Sequence, residues 1–301
     1  MQPATGLEND LPEPALLSPG QVLWQRARHH SGFLLGGTGL ALIIILAIAA
    51  PLIAPYGPSE QDLLQRLKPP MWADGGSAIH ILGTDQLGRD YFSRLLYGAR
   101  LSLIIGLSAM LISGIIGSTL GIVAGYFGGR IDLAITFLIT SRLSMPVVLI
   151  ALAVAAVFGS SLETVILILG FLLWDGFAVV ARSSTIQIRD TEYLLAARAL
   201  GMPLWRLILT ELLPNIKDAL IVVATLEMAH AILLESALSF LGLGVQPPLP
   251  SWGLMIAEGK DYLLFEPWLI MIPGTALFML VMSINLLGDG LRDISAPEGR
   301  S

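Results

Sequence analysis

The sequence predicts an all-α, polytopic membrane protein with six transmembrane helices. Two observations carry this. Only 13% of the 301 residues are charged and 54% are hydrophobic, whereas about a quarter of a soluble domain is charged. Six apolar runs are also long enough to cross a bilayer core, which takes about 20 helical residues. The mean hydropathy of +0.75 agrees.

Taken in order, the runs cover residues 33–53, 101–126, 131–158, 162–181, 219–243 and 267–287. The first ends near Pro55, and the third contains Pro146. Residues 1–32 read as a polar cytoplasmic tail with a short amphipathic piece at 23–28, and not as a cleavable signal peptide. The first transmembrane segment is placed at 33–55 and an outside loop with a short helix at 56–100. A turn over 83–90 leads into a helix that starts near Asp90. A core of five further helices is placed at 101–290, and a C-terminal tail at 291–301.

Orientation follows from the basic residues, which collect on the cytoplasmic side. With both termini inside, ten of the 17 Lys and Arg lie inside and six outside, and Arg142 lies within the third segment. Residues 189–217 then face the cytoplasm.

That stretch reads as a helical hairpin. Tyr193, Ala197 and Leu200 share one side of its first helix, away from Glu192 and Arg198. Gly201 suits a left-handed helix end, and Pro203 the first turn of the next helix. Leu204, Leu207 and Ile208 form a second stripe, and Leu213 and Pro214 close the unit. Such short helices are marginal alone. They need a membrane surface, membrane helices or a partner protein to pack against.

Gly117, Gly121 and Gly125 fall on one helix face, where small residues admit a neighbouring helix. Ionisable residues inside the membrane are costly and face a protein interior or a wet path. Here they are Arg142, Asp175, Glu227, His230 and Glu235. Arg142, Glu227, His230 and Glu235 are candidates for lining a pathway, with interhelical pairing as the alternative. The proline-rich stretch with Pro247, Pro248, Ser251 and Trp252 is read either as an outside gate and docking region or as an interfacial Trp anchor.

Several chemistries are excluded. With no cysteine, disulfides, thiolate metal sites and a cysteine nucleophile are ruled out. The only Gly-Lys pair, Gly259-Lys260, lacks the spacing and hydroxyl residue of a phosphate-binding loop. His29, His30, His80 and His230 show no helical metal-pair spacing, so no metal site is expected. A secondary transporter would need inverted repeats or broken helices, and no repeat is visible. An intramembrane enzyme would need a nucleophile–base pair.

Four motifs resemble one family. "LAARALGMPLWRLILTELLPN" is similar to the cytoplasmic loop of ABC importer permeases, matching at Ala196, Ala197, Gly201, Leu213 and Pro214. Leu195 and Glu211 stand where that family has glutamate and isoleucine, and Glu192-Tyr193 matches its peptide-importer branch. "LGTDQLGRDYFSRLLYGARLSL", "ALSFLGLGVQPPLPSWGLMI" and "NLLGDGLRD" resemble signatures of the dipeptide, oligopeptide and nickel permeases, C-type. Phe137 and Thr140 stand where the family often has Arg and Asp.

The resemblance implies a type I ABC importer permease fold and a bacterial inner-membrane location. It implies no cofactor on this chain, with ATP and Mg held by two cytoplasmic ATPase subunits. The other implied partners are a homologous second permease, a periplasmic or lipid-anchored substrate-binding protein and membrane lipid, with no nucleic acid. Glu192, Tyr193, Ala196, Ala197, Arg198, Gly201, Leu213 and Pro214 would couple to the ATPases. The solute would be a peptide, or a nickel complex, glutathione, or an opine- or sugar-type compound.

Overall fold

The computed structural model describes residues 19–295. The expected tails therefore lie partly outside the described residues. Helix α1 (Pro19–His29) leads into α2 (Ser31–Ile53), whose first turn is capped by His30 Nδ1 accepting from Phe33 N at 3.1 Å. Among the described residues β-type pairing is limited to an isolated bridge, Thr84 to Asp90.

Helix α3 (Tyr91–Phe127) begins ten residues before the apolar run at Leu101. Asp90 caps it, its carboxylate accepting from Ser93 N at 2.8 Å, and Gly128 ends it at φ +65°. Its 37 residues give a length of about 55 Å, well beyond a core of about 30 Å. The first turns therefore stand outside the bilayer as helix.

The third expected segment is not one straight span. It divides into α4 (Gly129–Leu143) and α5 (Val147–Phe158), bent by 85° across the break. Pro146, without an N–H, cannot continue the ladder of α4 and instead caps α5. The fourth is also interrupted: α6 (Leu162–Leu172) and α7 (Trp174–Ile188) meet at Leu173, and α7 runs seven residues past the expected end.

The hairpin follows as α8 (Glu192–Ala199) and α9 (Leu204–Arg206). A π-helical stretch, Leu207–Leu212, then joins α9 to α10 (Leu213–Phe240). Leu204–Phe240 is thus one continuous span, and Pro214 does not end the hairpin as expected. The π register accommodates the proline: Leu213 N bonds to Ile208 O. Freed carbonyls find side chains, Glu211 O accepting from Asn215 Nδ2 at 2.6 Å and Arg206 O from Thr210 Oγ1 at 2.9 Å. Helix α11 (Trp252–Gly259) follows α10 outside the bilayer, and α12 (Trp268–Ser295) carries helix past the expected start of the C-terminal tail.

Helix α3 is the axle of the bundle. Toward α7 it presents Gly117, Gly121 and Gly125. An added Cβ would strike Trp174 O at the first, Ala178 O at the second, and stand 2.7 Å from Thr185 Cβ at the third. On its other sides, Leu101, Ile105 and Ala109 pack with Val165, Leu169, Ala231 and Leu238. Near the outer end, Tyr91 and Ala99 pack with Trp252, Met255 and Leu269.

Candidate functional site

Helix α8 is anchored from within. Leu194 is fully buried, and so are Leu207 and Leu212 on the returning limb. Arg198 lays its guanidinium 4.5 Å from the Tyr126 ring centroid, and Arg189 donates to Gly125 O at 2.8 Å. Both contacts fasten the hairpin to the inner end of α3. The expected stripe therefore splits. Ala197 and Arg198 are half-buried, whereas Glu192, Tyr193, Leu195, Ala196 and Leu200 face outward, Leu200 at 88% exposure.

The bend between the limbs is well defined. Gly201 sits at φ +79°, a conformation that glycine adopts without a Cβ penalty. Gly201 N bonds to Arg198 O at 2.9 Å and Met202 N to Ala197 O at 3.2 Å, which satisfies the last carbonyls of α8. On the returning limb Trp205 and Leu209 are exposed, Leu213 is half-buried and Pro214 is exposed. The tip of the hairpin is thus an apolar surface held on a buried base.

Halfway along the bundle lies a second arrangement. Arg142 closes α4 and donates Nε to Leu172 O at 2.7 Å, capping the end of α6. Its Nη2 is 3.2 Å from Asp175 Oδ1 in the first turn of α7. One guanidinium therefore bridges the break after α4 and the break between α6 and α7. Glu227 on α10 reaches α7 where Gly176 leaves room: a Cβ there would collide with Glu227 Oε1. His230 Nδ1 stands 3.5 Å from Glu227 Oε2. These four residues line a cavity of about 520 Å³, otherwise walled by apolar side chains such as Leu173 and Leu233.

Glu235, expected beside them, is elsewhere. It is 1% exposed, and its Oε1 accepts from Ser239 and Ser251 hydroxyls at 2.8 Å each. It ties α10 to the start of α11 and does not line the cavity, because it lies two turns beyond Glu227 on a face covered by α11.

The outer segment also departs from expectation. Trp252 is 3% exposed, so it neither anchors in a headgroup layer nor offers a docking surface. Its Nε1 donates to Leu95 O at 2.9 Å, and its ring fills the gap over Gly98. Ser251 is buried too and caps α11 by accepting from Leu254 N at 3.1 Å. Pro247 and Pro248 are exposed. The same end of the molecule holds a buried charge network. Arg89 Nε is 2.6 Å from Asp85 Oδ2, and Arg94 Nη1 pairs with Asp85 and stands 2.7 Å from Glu258 Oε2. It ties the 56–100 loop to α3 and α11.

The family model described as "Binding-protein-dependent transport system inner membrane component" matches residues 117–300, which include the hairpin, the cavity and α11. The chain belongs to this family. A second model, the N-terminal TM domain of oligopeptide transport permease C, matches residues 18–70. The permease is 42% identical to the di/tripeptide transport system permease protein DppC of Pseudomonas aeruginosa, over 95% of each chain. It is 34% identical to the dipeptide permease DppC of Haemophilus influenzae, covering 93% of this chain and 95% of that one. It is 33% identical to the glutathione permease GsiD of Pectobacterium atrosepticum, covering 96% and 94%. Among solved structures, a chain of the inward-facing MetNI methionine ABC transporter matches with a TM-score of 0.55 at 17% identity. That match covers 67% of this chain and 97% of the other, and it shows the type I importer permease fold.

Sequence reasoning on this permease missed Leu194, the buried foot of the hairpin. Its neighbour Leu195 is exposed, and apolarity alone does not distinguish them. It also missed the Asp85–Arg89–Arg94–Glu258 network. The sole signal was an excess of charge in "TDQLGRDYFSR" with no run of one sign.

Proposed function

We propose that this chain is one of two permease subunits of an ABC importer. In this reading it passes a peptide from a binding protein outside the bacterial inner membrane to the cytoplasm. ATP is hydrolysed with Mg in two separate cytoplasmic subunits, and this chain itself catalyses nothing. The observation that carries the reading is the apolar hairpin tip continuous with a membrane helix, in a chain 42% identical over 95% of its length to a di/tripeptide permease.

The mechanism follows from the hairpin. Its outward residues Glu192, Tyr193, Ala196 and Leu200 seat in the ATPase. The buried Leu194 and the Arg198–Tyr126 stack pass displacement to α3. The Gly201 bend fixes the angle between the limbs, and Leu213 and Pro214 carry the motion into α10. Ala197 and Arg198 act on the inner side of α8. The stripe of Gly117, Gly121 and Gly125 keeps α3 and α7 moving as one body. Arg142, Glu227 and His230 face the solute path, and the exposed Pro247 and Pro248 lie where the binding protein docks. Both termini are cytoplasmic. The glutathione-permease relative favours a second solute of similar chemistry, since glutathione is itself a peptide.

The test is reconstitution. The chain is assembled in proteoliposomes with its partner permease, its ATPases and its binding protein, and labelled dipeptide uptake is measured. ATP-dependent uptake supports the reading. Gradient-driven uptake that persists without the ATPases would overturn it.

A further inference from the structure

Asp175 stands 13 residues from each end of the Leu162–Ile188 span, about 20 Å from either, and the other three ionisable residues line the same cavity. That is near the middle of a bilayer, where breaks in transporter helices place polar groups around the solute. Both breaks, at 144–146 and at Leu173, border this cavity.

The charges in it are unevenly engaged. Arg142 is held twice, by Asp175 and by the Leu172 carbonyl. Glu227 has an imidazole at 3.5 Å, longer than an ordinary charge-assisted bond of about 2.7–2.9 Å. Among the groups lining the cavity, Glu227 is therefore the carboxylate without a close guanidinium or ammonium partner. The remaining wall is apolar and makes no directional contacts. A cavity of 520 Å³ lies within the range of small-molecule sites.

We propose that this cavity receives the free ammonium end of a peptide in transit, with Glu227 as the carboxylate that accepts it. The inference rests on the peptide-importer reading and names what the permease itself recognises. An α-ammonium supplies a full positive charge at close range and three donors. It is also the part that every unmodified peptide shares. The apolar walls take side chains of any kind, so one fixed polar contact suits a varied set of solutes. Arg142 is already engaged, so the carboxylate end of the peptide has no dedicated partner here and stays unselected.

The chain has no cysteine, which permits a direct test. A cysteine replaces Ala237, which lines the cavity, in the complete transporter purified without its binding protein. Maleimide labelling of this subunit is followed with dialanine, N-acetyl-dialanine and dialanine amide as probes. Dialanine and its amide are expected to slow labelling equally, while the acetylated form does not. In a Glu227→Gln background, half-protection by dialanine needs about tenfold more peptide, the loss of one charge-assisted bond. Glu227→Asp keeps the discrimination and guards against a folding defect. Equal protection by the acetylated form, no protection by dialanine, or an unchanged Glu227→Gln variant each overturns the proposal. Dipeptide uptake by the reconstituted transporter is scored separately. Uptake without this discrimination rejects the ammonium site alone, and absence of ATP-dependent uptake rejects the importer reading.

Discussion

The guanidinium of Arg198 lies 4.5 Å from the centroid of the Tyr126 ring, joining the hairpin helix to the inner end of α3. A cation over an aromatic face contributes about 0.5–2 kcal/mol, more as water is excluded. Tyr126→Leu removes the face and Tyr126→Phe keeps it. The expected result is a several-fold fall in solute moved per ATP for the leucine variant and near-normal coupling for phenylalanine, read from paired uptake and phosphate-release assays. Equal behaviour of the two variants would show that the stack transmits nothing.

At Gly201 the backbone alone sets the cost, because a Cβ there would meet nothing within 4 Å. The φ of +79° penalises an L-residue by about 1–2 kcal/mol, least for asparagine. Gly201→Asn, Gly201→Ala and Gly201→Val are expected to lose coupling in that order. All three should still insert in the membrane, and ATP hydrolysis should continue in all of them. Loss of protein from the membrane for valine, with coupling intact in the rest, would refute the bend as a transmission element.

Exposure separates the two sides of α8. A cysteine at Leu200, which is 88% exposed, should react with maleimide in the free permease and be protected once the ATPases bind. A cysteine at the fully buried Leu194 should be slow in both states. Reaction at Leu200 that is indifferent to the ATPases would place the docking surface elsewhere.

Removing Arg142 leaves the Asp175 carboxylate and the Leu172 carbonyl without their shared partner. Such an orphaned group costs about 2 kcal/mol. Arg142→Ala is expected to lower uptake while the complex still co-purifies, and adding Asp175→Asn should recover part of the lost thermal stability. Normal uptake by Arg142→Ala would sink the idea that this residue serves transport.

Trp252 offers a stability measurement away from the hairpin. Trp252→Ala empties the space over Gly98 and should cost about 3–5 kcal/mol. Trp252→Phe gives up chiefly the bond to Leu95 O, about 1 kcal/mol. Thermal inactivation midpoints of the purified complex report both, and equal shifts would contradict a packing role.

Five spans, and a sixth if the bent pair α4–α5 is taken as one, were legible because a bilayer demands long apolar runs, and 101–126 or 267–287 can be little else. Helix ends were not legible. Hydropathy marks where lipid stops, but Tyr91 to Arg100 stays helical outside it, with Asp90 capping the first turn and Arg94 paired. Pro146 was visible, yet a proline is compatible with a kink or with a full break, and the 85° turn depends on what α5 packs against. The hairpin was read from glycine, proline and motif spacing. Its inward residue was not, because Leu194 and Leu195 differ in partner rather than in chemistry. Trp252 was misread as exposed because a proline-rich stretch resembles a loop until α3 lies beneath it.

The π-helical stretch Leu207–Leu212 has one further consequence. A π turn holds one more residue than an α turn, and each α residue advances the chain by about 100°. The wide turn absorbs that surplus residue, so Trp205 and Glu227 keep nearly the azimuth that an α-helix one residue shorter would give them on their single unbroken rod. Deleting one residue within the π stretch would leave an ordinary α-helix with its cytoplasmic tip facing much as before. Deleting one residue from the regular helix beyond it would swing the tip roughly a quarter-turn away from the partner it now faces.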